Sequence, residues 1–477
     1  MYDVIIIGTG IAGLSCALKI TENNSDLKIA CLTKNTINNC NTRLAQGGIA
    51  CVKSKNDSYE NHINDTLKAS NYTSQKNIVE MVVKSANKCV SDLEKWGVKF
   101  DKKTKESYDL GLEGGHSLNR IVHVADNTGE HIHKQLLKEI KKHKNIEILA
   151  FHEVYEIIRN RNKVSGLKMF LTKEKIHKTI HANQIVIATG GIGSFFKQTT
   201  NSYFSNGDGL ALASILGLKI KNLKSIQFHP TAFFQENKKK LFLISEAVRG
   251  AGAQVVNLKK ERFLLNYDSR GELATRDILS SAIYQEMKSS KQKCVFMDLS
   301  KIKNFNLEFP SIHSFLRKQN LNWENDLIPI VPAAHYQCGG IEVDKNGCTS
   351  LKNLYAIGEC SETGLHGTNR LASNSLLEAF VFAENCAKHI CEQKMKKISL
   401  TTENYQFDTF CNTQSIAHSI SNLQNQLLEL CQKNDFDDKF NELKETILNK
   451  MAKNQKSIGL IRLKNKMEVL RLIANSF

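Results

Sequence analysis

Arginine is scarce in this chain: only 12 of its 65 basic residues are Arg. Arg120, Arg249, Arg276 and Arg370 nevertheless all fall inside motif-like stretches. A planar, two-pronged donor matches a carboxylate better than a point-charge ammonium does, so these positions point to carboxylate recognition. A second chemistry comes from glycine. Gly8, Gly10 and Gly13 form G-x-G-x-x-G between the apolar run Val4 to Ile7 and a helical pattern from Leu14 to Ile20. In that context the first glycine permits a tight turn. The second lets backbone approach a pyrophosphate at a helix N-terminus, and the third lets helix pack on strand.

The nucleotide signal departs from the usual one. Where an acidic residue is expected about 20 positions on to hold a ribose, Thr33-Lys34 ends the second apolar run, Leu27 to Leu32. A hydroxyl and an ammonium there argue against an ordinary NAD site. In Ala45-Gln46-Gly47-Gly48 the paired glycine amides suit close approach of a flat ring or a phosphate. Ala188-Thr189-Gly190-Gly191 ends another apolar run, and Glu359 follows Gly358 at the end of a further one. Gly207-Asp208-Gly209 precedes a helical segment, and taken alone is also explained as a simple cap.

These motifs need elements to hold them. Val4 to Ile7 reads as a parallel strand buried on both faces. Ile146 to Leu149, Val164 to Phe170 and Ile185 to Ala188 read as strands, residues 60–96 as helix, and 105–130 as an aperiodic loop suited to substrate. At 477 residues the chain exceeds one ordinary core. The texture changes at 223, with charged helices and few glycines, and the strand-plus-glycine pattern returns at Leu354 to Glu359. The expected division is therefore a discontinuous first domain (1–222 and 335–394), an inserted domain (223–334) and a small helical domain (395–477). Leu443, Ile447 and Met451 carry the helical spacing of that tail.

Composition sets the class. The chain is 41% hydrophobic and 24% charged, as a folded globular protein is. The formal charge of +17 is spread as lysine among Asn and Ile along the whole length. Nucleic-acid contacts would concentrate on one face, so the sequence points to no nucleic-acid partner. Thirteen cysteines occur without a C-x-x-C pair, which fits free thiols in a reducing cytoplasm and neither zinc, iron–sulfur nor disulfide frameworks. The N-terminus lacks a basic leader and is broken by glycines, and no run approaches the roughly 18 apolar residues that would span a membrane.

Several stretches now line up. Ala45-Gln46-Gly47-Gly48, His229-Pro230-Thr231, Ser245-Glu246-Ala247-Val248-Arg249-Gly250, Arg270 to Asp277, Pro332-Ala333-Ala334-His335-Tyr336 and His366 to Ser375 occur in one order. With them the chain resembles the flavoprotein family of succinate dehydrogenase, fumarate reductase and L-aspartate oxidase over residues 1–390, most of all its aspartate-oxidising branch. The resemblance implies an α/β fold: a discontinuous Rossmann-like FAD-binding domain, an inserted α+β capping domain and a C-terminal helical bundle. It implies FAD contacts from Gly8, Thr9, Gly10, Ile11, Ala12, Gly13, Lys34, Asn41, Thr42, Arg43, Leu44, Ala45, Gln46, Gly47, Gly48, Asp208, Glu359, Ser375 and Leu376.

It also implies a dicarboxylate pocket. His229, His335 and Arg370 would hold the two carboxylates, and Ser245 would donate a hydroxyl. Arg276 would carry proton transfer through a relay with Glu246 and Arg249, since a guanidinium is a poor base without a partner and a dry site. A lone His beside Pro is usually structural, but three such residues inside family motifs are not. The position of the flavin-linking histidine of dehydrogenase members is Asn41, so FAD is expected to be non-covalent. Glu113 places a carboxylate where dicarboxylate reductases have a neutral residue, and there it would face the α-ammonium of aspartate. The implied activity is oxidation of L-aspartate to iminoaspartate, with O2 or fumarate reoxidising the flavin. A hand-off to a quinolinate synthase in NAD biosynthesis would follow. A flavoprotein subunit of fumarate reductase or succinate dehydrogenase is the alternative, and a flavin-dependent RNA-modification protein a remote one that leaves His229, Arg276 and Arg370 without a role. The segment after 395 is shorter than in many members.

Overall fold

Val4–Ile7 forms the centre of a five-stranded parallel sheet. Ile29–Thr33 pairs on one side and Gln184–Ile187 on the other, with Ile146–Ala150 and Leu354–Ala356 at the edges. Alternate side chains enter different cores: Val4 and Ile6 face one cluster, Ile5 and Ile7 another. Two buried faces explain why the run is apolar without alternation. The computed structural model describes residues 2–395, 403–405, 414, 417–422, 444–450 and 457–476.

One face of the sheet carries helices Ile11–Asn23, Lys76–Lys95 and Asn374–Glu392. On the other, Asp208–Ile215 packs with an antiparallel meander, His152–Asn160, Lys163–Leu171 and Ile176–His181, to which Glu403–Tyr405 adds a strand. The sequence disclosed only the middle of that meander, because its outer strands alternate apolar with charged residues. The stretch 105–130 is less irregular than expected. Ile121–Val122 pairs with Leu110–Gly111 on one side and on the other with Ile49–Ala50, next to the Ala45–Gly48 run.

The inserted region has an antiparallel sheet ordered Ile226–Phe233, Ile328–Gln337, Val295–Asp298, Gln254–Val256. Its own core includes Val255, Leu279, Ile283 and Met297. The strand Ile328–Gln337 runs unbroken across residues 334 and 335. In the tail, helix Ile458–Ala474 shares a core with the first domain through Leu460, Met467 and Leu470. Ile447 is buried in a helix at 444–450. Leu443 and Met451, with much of the expected helical domain, lie outside the described residues. Among the described residues no helix is long and apolar enough to cross a membrane.

Candidate active site

The glycine turn between Val4–Ile7 and helix Ile11–Asn23 opens one end of a long cleft. Gly8 has φ +127°, and a Cβ there would stand 2.0 Å from the Ala188 carbonyl oxygen, so only glycine fits. Gly13 packs helix on turn, a Cβ meeting the Gly8 carbonyl at 2.1 Å. The helix begins at Gly10 without a side-chain cap, although Thr42 Oγ1 accepts from the Ile11 N–H at 2.9 Å. Free amides at a helix N-terminus favour an anion.

The cleft brings most of the expected cofactor residues together. Gly8, Thr9, Gly10, Ile11, Ala12, Lys34, Asn41, Thr42, Leu44, Ala45, Asp208, Glu359, Ser375 and Leu376 all line it. Lys34 ion-pairs with Asp208 and donates to Asn206 Oδ1 at 2.7 Å, so the ammonium replacing the usual carboxylate has its own acid. Asn41 Oδ1 accepts from the Ser202 N–H at 2.9 Å. Burial pushes the Glu359 carboxyl up to about 7, though the Gln337 N–H and Asn41 oppose it. Thr189, also in the lining, has a buried hydroxyl without a hydrogen-bond partner among the described residues. A glycine cradle, bare helix amides and an unsatisfied hydroxyl fit a bound dinucleotide.

Five expected contacts do not line the cleft. Besides Gly13, Arg43 ion-pairs with Glu130, and Gln46 Nε2 donates to the Leu243 carbonyl at 2.7 Å. The Gly48 N–H donates to Ser373 Oγ at 3.3 Å. A Cβ on Gly47 would stand 2.5 Å from Glu113 Oε1. These residues join the Ala45–Gly48 run to the elements beside it.

At the far end the cleft is lined by His335, Tyr336 and Arg370. The antiparallel pairing of Ile226–Phe233 with Ile328–Gln337 is interrupted by register shifts around Phe228 and His229. It sets the rings of His229 and His335 5.0 Å apart. Burial, then the Arg276 charge, holds both imidazoles well below their ordinary range, so they are neutral donors or acceptors. Thr200 Oγ1 lies 2.8 Å from His335 Nδ1. Arg370 is buried, its Nε has no partner among the described residues, and its Nη1 donates to Ser375 Oγ at 3.1 Å. Burial and Arg276 lower its guanidinium to about 10, which leaves it charged at neutral pH. A buried cation with an unused donor is suited to an incoming carboxylate.

Behind this surface stand Glu113, His229, Ser245, Glu246, Arg249 and Arg276. Ser245 Oγ caps the short helix Glu246–Gly250, accepting from the Ala247 N–H at 3.3 Å. Glu246 accepts from Arg276 Nε at 2.7 Å and lies 2.8 Å from Arg249 Nη2. Burial pushes the Glu246 carboxyl up, but the two guanidinium groups outweigh it and hold it at about 2. Glu113, buried beside it, goes the other way: burial, then Glu246, raises its carboxyl. Ser373 Oγ donates to Glu113 Oε2.

Some participants were not legible in the sequence. Gln227 accepts from Arg276 Nη1 at 2.9 Å and donates to the Arg370 carbonyl at 2.7 Å, linking the two arginines. Its position two residues before His229 was the available signal. Glu153 and Val154 line the cleft from the meander, and Phe204 lines it from a loop. Arg120 does grip carboxylates, but they are the protein's own Asp57 and Asp65, and it is 0% exposed. It anchors the Glu113 turn, where His116 bonds the Ala372 carbonyl at 3.0 Å.

The FAD binding domain model matches residues 3–376. The chain is 41% identical over 391 residues to L-aspartate oxidase of Clostridium perfringens, covering 81% of this chain and 86% of that one. It is 42% identical over 401 residues to L-aspartate oxidase of Yersinia pestis, covering 81% and 74%. Among solved structures, E. coli quinol fumarate reductase superposes with TM-score 0.86 at 26% identity, covering 99% of this chain and 88% of that one.

Proposed function

The chain belongs to the FAD-dependent flavoprotein family that holds the L-aspartate oxidases, and from that premise we propose how its residues carry the reaction. The protein is a flavoenzyme that oxidises L-aspartate to iminoaspartate, the entry to NAD biosynthesis. Its cofactor is FAD, which supplies the hydride acceptor when bound.

The chain's own groups do the rest. His229, His335 and Arg370 hold the substrate carboxylates, with Ser245 as a neutral donor. Glu113 faces the α-ammonium. Arg276 carries the proton, backed by the buried Glu246–Arg249 pair, which excludes water and fixes its orientation. The observation that carries this proposal is the Arg276–Gln227–Arg370 chain, which joins the buried Glu246–Arg276 cluster to the lining of the FAD cleft. The FAD residues are those named from the sequence. Those lining the cleft contact the cofactor, and Gly13, Arg43, Gln46, Gly47 and Gly48 shape it.

The division into 1–222 with 335–394, 223–334 and 395–477 belongs to the same proposal, supported by the separate core of the inserted region. A cytoplasmic setting is supported by eleven free cysteines among the described residues. An imine is labile in water, so a hand-off to a quinolinate synthase suits the product's chemistry. Fumarate, a dicarboxylate without the ammonium, fits the same pocket as an electron acceptor beside O2.

Anaerobic mixing tests the activity: L-aspartate bleaches the bound flavin, while succinate, D-aspartate and L-glutamate leave it oxidised. Bleaching by succinate alone would return the protein to the respiratory class. Asn41 in place of a linking histidine makes the FAD non-covalent. Acid or heat denaturation should therefore release all of it to the supernatant, and yellow polypeptide in denaturing electrophoresis would refute this.

A further inference from the structure

Glu378 is a buried acid, 1% exposed, that the reaction leaves unassigned. It sits in the second turn of helix Asn374–Glu392 and takes three donors. Tyr336 OH donates to its Oε2 at 2.9 Å, His366 Nε2 lies 2.9 Å from the same oxygen, and Thr363 Oγ1 donates to Oε1. Burial pushes the Glu378 carboxyl up, but His366, Thr363 and Tyr336 outweigh it and keep it ionised at neutral pH. The Tyr336 ring therefore has an anion at its hydroxyl end. Over its face lies Arg370, with Cζ 4.4 Å from the ring centroid.

The geometry points to Tyr336 as a positioning residue that, tethered through its hydroxyl to Glu378, fixes the plane of Arg370 and thereby sets the affinity for dicarboxylates. This rests on Arg370 being a carboxylate clamp. A guanidinium on a flexible stem presents paired donors to a carboxylate only when its plane is fixed. Among the described residues the side chain of Arg370 has one hydrogen bond, to Ser375, and that does not define a plane. A ring stacked on the flat face does so and leaves the edge donors free. Donation of the hydroxyl to a carboxylate holds the ring and makes its face more negative, which strengthens the stack.

The test uses the FAD-loaded enzyme, with succinate and fumarate as probes whose binding perturbs the flavin absorbance. Tyr336→Phe keeps the ring and loses the tether, and its dissociation constants should rise roughly threefold to tenfold. Tyr336→Leu loses the stack as well and should be weaker still. FAD content and melting temperature of Tyr336→Phe should match the parent. The deciding measurement is a double-mutant cycle: in an Arg370→Lys background, Tyr336→Phe should add little further loss, because the plane it fixes is gone. Equal losses in both backgrounds would show that Tyr336 acts independently of Arg370 and overturn the inference. Parent-like affinity in Tyr336→Phe beside a weakened Arg370→Lys would overturn it while leaving the clamp intact. Parent-like affinity in Arg370→Lys would remove the clamp and this inference together. If Tyr336→Leu does not fold, the phenylalanine arm and the cycle still decide.

Discussion

Arg276 and Arg370 are both buried, both backed by a buried glutamate, and wired in opposite ways. Arg276 touches its carboxylate, with Nε 2.7 Å from Glu246, and Arg249 closes the other side. Arg370 is separated from Glu378 by the tyrosine ring and keeps a donor without a partner among the described residues. A guanidinium in contact with a carboxylate has its charge matched inside the protein and a route for a proton. One laid on an aromatic face keeps its charge and its edge for a ligand. In the proposed reaction the contact-paired arginine is the one assigned to chemistry, and the one whose edge is left open is assigned to binding.

The most severe way to break that contrast is at Arg276. Arg276→Gln should leave FAD and dicarboxylate inhibitors bound while lowering the rate of aspartate-dependent flavin reduction by roughly a hundredfold to ten-thousandfold, the range of a lost general acid or base. Single-turnover reduction beside inhibitor titration separates the two effects. Reduction at the parent rate would take proton transfer away from Arg276.

Arg370→Lys should show the reverse pattern with a smaller effect. It keeps the charge and loses the planar pair of donors. Loss of a charge-assisted hydrogen bond costs about 1.5–3 kcal/mol, roughly tenfold to more than a hundredfold in affinity. The saturating rate of flavin reduction should fall far less than the affinity does. If the two fall together, the division of labour between the arginines is wrong.

The two regions also differ in how far the sequence disclosed them. The nucleotide end is built largely from backbone at glycines, so short motifs disclose its conformation, and Gly8, Gly10 and Gly190 all line the cleft. The grouping of Glu246, Arg249 and Arg276 was legible through family motifs, the three side chains meet, and the first two share one short helix. What stayed hidden came from pairing between distant segments. Gln227 meets Arg276 across 49 positions and Arg370 across 143, and no spacing rule reaches that far. Arg120 shows the opposite failure. Its residue type promised a carboxylate, but type alone does not distinguish a substrate from Asp57 and Asp65. Gly48 and Gln46 lie in the expected loop, and each also has a partner in the protein that the sequence did not disclose.

Glu113 extends the comparison to carboxylates and gives the smallest expected effect. It is so close to Glu246 that a Cβ on Gly114, the next residue, would meet Glu246 Oε1 at 2.3 Å. Yet Glu246 is held at about 2, whereas Glu113 is raised by burial and by that neighbouring charge. Environments that push two carboxyls apart assign them different work. Glu246 stays ionised against Arg276, and the proposed function assigns Glu113 to the substrate's cation. The sign follows from linkage. Below its raised value Glu113 holds a proton in the empty site, and the aspartate ammonium favours the ionised form, so binding must release that proton. Aspartate affinity should therefore weaken as pH falls through the raised value, by no more than about tenfold per pH unit. Fumarate has no ammonium and should lack this component. Glu113→Gln should flatten the aspartate profile and impair aspartate oxidation far more than fumarate reduction. Titrating both ligands against pH in parent and variant measures the difference. Equal slopes for the two ligands, or equal loss of both activities, would make Glu113 a structural partner of Ser373 and not the ammonium's counter-charge.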